Sequence, residues 1–307
     1  MSIDRLQAMI DEMKNPAVAG LDPALEHIPP GILEKHFAKK GETLEAASEA
    51  VIEFNTGLID ALYDIVPAIK AQSAFYETLG PGGAAALKAT CDYAKSKGMY
   101  VICDGKRNDV GSTALAYSSA YLGAVKVGGA ELRPYDFDAL TVNAYLGTDG
   151  VMPFIENCKK YDKAIFVLLK TSNPSAGELQ DKYIGDTTLY TAVGDLMEDI
   201  SRDTIGEYGY SRVGAVVGAT YPDEAAYLRA RLKHTFFLVP GYGAQGGSAA
   251  SAAPAFDKNG RGAIVNSSRG IIAAWKVAGG DYREAARAEA LRMRGELRDV
   301  LGKSDQR

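Results

Sequence analysis

Cysteine and histidine are scarce, with three of each in 307 residues. Cys91, Cys103 and Cys158 are odd in number and no two stand at metal-ligand spacing, which argues against a disulfide framework and a zinc site. Buried, reduced thiols are the expectation. His27, His36 and His234 fall in segments that read as helical or helix-flanking, none at a strand end. Neither a histidine acid nor a metal site is expected from them. No apolar run approaches the roughly 18 residues of a membrane span. The opening MSIDRLQAMIDEMK reads as a polar amphipathic helix, not a secretion signal, and a cytoplasmic protein is expected. Excess positive charge is also missing. The formal net charge of −5 disfavours nucleic acid or an anionic membrane as partner. A phosphorylated small molecule held by a few local donors stays compatible with that balance.

What is present is alternation. Short apolar runs predict strands at Ala17–Leu21, Ile65–Ala71, Tyr100–Asp104, Ala139–Val142, Ala164–Lys170, Val213–Gly218, Thr235–Val239 and Ala263–Asn266. Several are continuous (AIFVLL, GAVVG, FFLV), as parallel strands covered on both faces require. Helical patterns separate them: TLEAASEAVIEFNTGLIDALYD with Thr43 as N-cap, AAALKATCDYAKSKG ending at Gly98, YPDEAAYLRARL, and a last helix DYREAARAEALRMRGELRDVL. Eight strands, each followed by helical material, predict a (β/α)₈ TIM barrel forming a single domain over 1–307, with an open doubly wound sheet as the alternative. Insertions are expected near 23–41 and 171–187, the second a polar loop of the kind that serves as a lid.

Barrel chemistry sits at the C-terminal ends of the strands, and that is where unexplained polar residues collect. Asp22 follows the first strand, Lys70 ends the second, Asp104 and Lys106 the third, and Ser172 and Asn173 follow the fifth. Asp104, Lys106 and Asp109 form D-x-K-x-x-D. Asp104 and Lys106 share strand parity, so an extended strand would aim both into the mouth, where alternating carboxylates and ammonium groups keep one another ionised. The competing reading is a solvated turn with surface ion pairs of little energy. After the seventh and eighth strands, VPGYGAQGG and NSSRG offer glycine-rich backbone and Arg269, a pattern suited to phosphate. The stretch Gly241–Gly246 also matches G-x-G-x-x-G, but the next strand ends in Asn266-Ser267-Ser268 where a dinucleotide fold needs an acidic residue. The same three residues form a glycosylation sequon, read as coincidence at a barrel mouth.

Taken together, GLDP (20–23), AIKAQSAFYE (68–77), DGKRNDVGST (104–113), TSNPS (171–175), PGYGAQGG (240–247) and SSRG (267–270) resemble the orotidine 5′-phosphate decarboxylases, and the longer inserts resemble the larger bacterial subgroup. The resemblance implies a cofactor-free carboxy-lyase that turns orotidine 5′-monophosphate into UMP and CO₂, the last step of de novo pyrimidine nucleotide synthesis. It implies Lys70, Asp104, Lys106 and Asp109 as the charged catalytic network, with Lys106 protonating a C6 carbanion. It further implies Asp22 and Thr113 on the ribose, Ser172 on the pyrimidine edge, and Gln245, Gly246, Ser268 and Arg269 at the phosphate. The implied assembly is a homodimer in which Asp109 and Thr113 enter the partner's site. The enlarged loop between Ser172 and Thr187 departs from the family pattern. Other readings on the same scaffold are a Mg²⁺-dependent phosphosugar decarboxylase or lyase, a Schiff-base aldolase using Lys70 or Lys170, and an inactive nucleotide-binding regulator.

Overall fold

The computed structural model describes residues 1–243 and 245–302; Ala244, within the glycine-rich loop singled out above, lies outside the described residues. Eight strands pair in parallel and close on themselves in chain order. They are β1 Ala17–Leu21, β2 Ala68–Gln72, β3 Tyr100–Arg107, β4 Ala139–Val142, β5 Ala164–Lys170, β6 Val213–Val217, β7 Phe237–Val239 and β8 Ala263–Ser267. Closure excludes the open doubly wound sheet.

Alternation along each strand sorts two cores. Val18, Ala68, Tyr100, Ile102, Ala139, Ala164, Phe166, Val216, Leu238 and Ile264 fill the barrel interior. Their sequence neighbours, such as Ile69, Val101 and Val265, face the surrounding helices. The N-terminal helix Ser2–Met13 stoppers the barrel from below: Ile3, Leu6 and Ile10 are buried in the interior cluster. Each such side chain contributes roughly 1.5–3 kcal/mol of burial.

Local signals set the helix ends. Thr43 caps Leu44–Leu62 by accepting the Ala46 N–H, and Gly98, at φ 84°, turns the chain after Gly80–Ser96. Asp281 caps the last helix, Tyr282–Leu301. β2 starts at Ala68, not Ile65, because the Ile65 and Val66 N–H groups close the preceding helix on the Leu62 carbonyl. The first insertion is mostly helical (Pro30–Lys40), preceded by the 3₁₀ turn Leu25–His27. The second contains the 3₁₀ turn Pro174–Glu178 and a small hairpin, Tyr183–Ile184 with Thr187–Thr188. Among the described residues no helix is long and apolar enough to cross a membrane.

Candidate active site

A cavity of about 600 Å³ opens at the C-terminal ends of the strands, a volume typical of small-molecule sites. Leu168, Val216 and Leu238 form its apolar floor, and polar groups ring its mouth.

The register brings the charged groups together. Gly20 on β1 pairs with Lys70 on β2, and Gln72 on β2 pairs with Asp104 on β3. β3 then bulges against β4: Cys103 pairs with Leu140, but Arg107 pairs with Val142, four steps on one strand against two on the other. Lys106 sits within the bulge at φ 47°, left-handed backbone that a lysine seldom adopts. Thr141 stitches it, accepting the Lys106 N–H at 2.9 Å and donating to Asp104 Oδ1 at 2.8 Å. Simple strand parity therefore does not bring Lys106 to the mouth; a bulge does, at a cost in backbone strain of order 1–3 kcal/mol.

Asp104 is the hub. Its Oδ2 accepts from Lys70 Nζ at 3.0 Å and Gln72 Nε2 at 3.0 Å, and its Oδ1 accepts from Lys106 Nζ at 2.6 Å and from Thr141. Lys70 also lies 3.7 Å from Asp22 Oδ1. Lys70 is nearly fully buried, its side chain 4% exposed, whereas Lys106 is 46% exposed toward the cavity. Burial alone would push the Asp104 carboxyl up, but the fields of Lys70 and Lys106 and their hydrogen bonds hold it well below the usual carboxylate range. Burial likewise opposes the Lys70 charge; Asp104 and Asp22 outweigh it and hold this ammonium above the ordinary lysine value. Both partners are thus kept ionised in a poorly hydrated place, and the solvated-turn reading of the motif fails. A permanently charged, paired Lys70 is also a poor amine nucleophile. Lys170, the other Schiff-base candidate, is fully buried against Asp181 and does not line the cavity.

Across the mouth, Ser172, Gln245, Ser268 and Arg269 face this cluster. Ser172 Oγ donates to Gln245 Oε1 at 2.7 Å, bridging the loops after β5 and β7. Arg269 is exposed, and among the described residues its guanidinium has no hydrogen-bond or ion-pair partner. Gly20 permits the close packing of β1 against β8, since a Cβ there would lie 2.0 Å from Ser268 Oγ. Gly246 is differently placed: its N–H donates to the Gly243 carbonyl at 2.8 Å and it does not line the cavity.

Two further site candidates, besides Gly246, lie outside the pocket of their own chain. Asp109 and Thr113 do not line the cavity; the Asp109 carboxylate accepts the Val110 N–H, and Thr113 is exposed. Around them, Val110, Leu115, Tyr145 and Leu146 expose apolar side chains, Tyr145 to 78%. Asn108 ties the two loops concerned through the Asn143 carbonyl. Several lining residues were not site candidates from the sequence: Gln72, Thr141, His27 and Asn266, and also Phe75, Thr171 and Gln180. Gln72 and Thr141 are single polar positions inside short strands, with inward parity as their only signal. His27 lines the cavity from the turn after β1, its Nδ1 3.4 Å from the Asp22 carbonyl oxygen, a position the sequence did not signal. Asn266, the sequon residue, is buried near the end of β8, and among the described residues its Oδ1 has no hydrogen-bond partner. The three cysteines are free and buried.

Fold and site define a (β/α)₈-barrel enzyme whose mouth sets a lysine–aspartate cluster opposite an anion-receptive rim. Residues 47–287 match the model of the orotidine 5′-phosphate decarboxylase / HUMPS family. An orotidine 5′-phosphate decarboxylase of Rhodopirellula baltica is 42% identical over 301 residues, covering 96% of this chain and 98% of that one. Another, from Caldicellulosiruptor bescii, is 42% identical over 89% of this chain and 90% of its own length. Among solved structures, the OMP decarboxylase of Leishmania donovani superposes with a TM-score of 0.75 at 29% identity, covering 98% of this chain and 99% of that one. A Toxoplasma gondii chain assigned as an orotidine-monophosphate decarboxylase reaches 0.82 at 28% identity, over 99% and 98%. The chain belongs to the orotidine 5′-phosphate decarboxylase / HUMPS family.

Proposed function

We propose that the protein decarboxylates orotidine 5′-monophosphate to UMP and CO₂, and that the Lys70–Asp104–Lys106 cluster carries the chemistry. The observation behind this reading is one carboxylate holding two ammonium groups, one buried and fixed, the other open to the cavity. Loss of CO₂ leaves an electron pair on C6 of the pyrimidine. Lys106, the more exposed of the two clustered lysines that line the cavity, stabilises that pair and delivers a proton from Nζ to C6. Asp104 and Lys70 fix its position and charge, so the field is in place before the bond breaks. The barrier reduction asked of this class of reaction is on the order of 20 kcal/mol. One ion pair does not supply that; binding energy gathered on the sugar and phosphate completes it.

In this reading Asp22 holds ribose hydroxyls, Ser172 meets the pyrimidine edge, and Arg269 and Gln245 take the phosphate, assisted by backbone near Ser268; the Gly246 N–H, engaged by the Gly243 carbonyl, drops out. Arg269 needs no rearrangement for that task, having no other partner among the described residues. Asp109 and Thr113, which do not line their own cavity and stand beside exposed apolar side chains, serve a second copy's site, which makes the working unit a homodimer with shared sites. The deciding experiment follows the absorbance loss of orotidine 5′-monophosphate, with and without EDTA. Chelator-insensitive formation of UMP is the expected result. Absence of turnover sinks the reading, and turnover abolished by EDTA favours a metal-dependent lyase instead.

A further inference from the structure

Beneath the loop after β5 lies a buried lysine for which the reaction above has no use. The Lys170 side chain is fully buried at the end of β5. Its Nζ pairs with the Asp181 carboxylate and sits 4.2 Å from the centre of the Tyr221 ring. The next residue, Thr171, is tied twice to Gln180: its N–H donates to Gln180 Oε1 at 2.9 Å, and Gln180 Nε2 donates to its Oγ1 at 2.7 Å. Two consecutive residues entering the loop thus clasp two consecutive residues leaving it. The segment between is a closed loop with a tied neck. Taking an ammonium fully out of water to meet a half-exposed carboxylate is a weak way to gain stability. Such an arrangement is worth its desolvation cost when it fixes geometry.

The geometry it fixes is that of Ser172, two residues beyond Lys170. Ser172 packs on the bare backbone of Gly218, where an added Cβ would stand 3.0 Å from its Cα, and the Gly218 N–H donates to the Lys170 carbonyl at 2.7 Å. Held there, Ser172 spends its one hydroxyl proton on Gln245 Oε1. Its oxygen is then left as an acceptor toward the cavity. An acceptor at the pyrimidine edge matches a base with an N3–H, as uracil and orotate have, and opposes the N3 lone pair of cytosine.

We propose that Lys170, Gln180 and Asp181 are positioning residues that set base selectivity through Ser172. The inference rests on the reading of Ser172 at the pyrimidine edge. The test measures the affinities of UMP and CMP for wild type, Asp181→Asn, Gln180→Ala, Asp181→Glu and Ser172→Ala. Wild type favours UMP; Asp181→Asn and Gln180→Ala reduce the UMP/CMP ratio about tenfold, the scale of one misdirected hydrogen bond. Asp181→Glu, which keeps the pair, retains most of it. Equal weakening of both nucleotides, or no change, overturns the role of the neck when Ser172→Ala alone collapses the ratio. A wild type indifferent to the base, or an unchanged ratio in Ser172→Ala, removes the reading of Ser172 and this inference with it.

Discussion

Asp104→Asn is the most informative single substitution, because it keeps shape and removes charge at the hub. The carboxylate uses both oxygens, each accepting two donors: Lys70 and Gln72 on Oδ2, Lys106 and Thr141 on Oδ1. An amide offers one acceptor oxygen. It turns that oxygen toward Lys70, whose side chain is only 4% exposed, and leaves Lys106, at 46%, facing an NH₂ group. The loss is one hydrogen bond from a charged donor, about 1.5–3 kcal/mol, and one from a hydroxyl, about 0.5–1.5 kcal/mol. Together they predict a stability loss of about 2–4 kcal/mol, read from the urea midpoint at unchanged slope. If that energy is what holds Lys106 in place, kcat/KM falls by at least roughly 30- to 1,000-fold. The pH dependence carries a sign. A carboxylate whose pKa is depressed in the fold contributes stability fully above its ordinary value of 3.8 and loses it as the pH falls below that value. The stability gap between wild type and Asp104→Asn should stay constant from about pH 8 to 5 and shrink on acidification below about 4. A variant with wild-type kcat/KM, or a gap that widens in acid, would refute the reasoning.

Lys106→Ala is expected to abolish turnover while UMP binding by calorimetry changes little; measurable wild-type turnover removes Lys106 from the proton-transfer role. Arg269→Ala should lower kcat/KM by about a hundredfold, the order of a lost charge-assisted contact to phosphate, and an unchanged value clears Arg269 of the phosphate. Mixing Asp109→Ala with Lys70→Ala chains should restore part of the activity through heterodimers with one intact composite site, and no rescue in heterodimers shown to form argues against sharing. Away from the site, Arg229 donates to the carbonyls of Leu232, Thr235, Ala255 and Gly262, and its guanidinium lies 3.8 Å from the centre of the Phe237 ring. Burial pushes it down to about 10. Arg229→Met strands those carbonyls and should cost about 2–4 kcal/mol in urea unfolding with kcat unaltered in the folded enzyme; a neutral effect means solvent or rearrangement satisfies them.

The barrel was legible because parallel strands buried on both faces must be apolar throughout, as AVAGL and AIFVLL are. Helix ends were legible at Thr43 and Gly98 because capping chemistry is local. The cluster around Asp104 announced itself as charge at the end of apolar runs. Its supports did not. Gln72 and Thr141 look like ordinary strand residues until the register sets them beside Asp104. The bulge at Lys106 depends on how β3 meets β4, which no window of sequence contains. Lys170 read as a strand-end amine and a Schiff-base candidate; only the return of the chain at Asp181 shows what it does. That His27 lines the cavity was not legible, because it depends on how the 3₁₀ turn after β1 meets the mouth.

Among the described residues, the stopper formed by Ile3, Leu6 and Ile10 shuts one end of the vessel, and the doorway is at the other. Nucleotide in, nucleotide out and the released gas all share it. Traffic in the two directions shares one set of walls: a rim drawn tighter around the incoming molecule also holds the outgoing one.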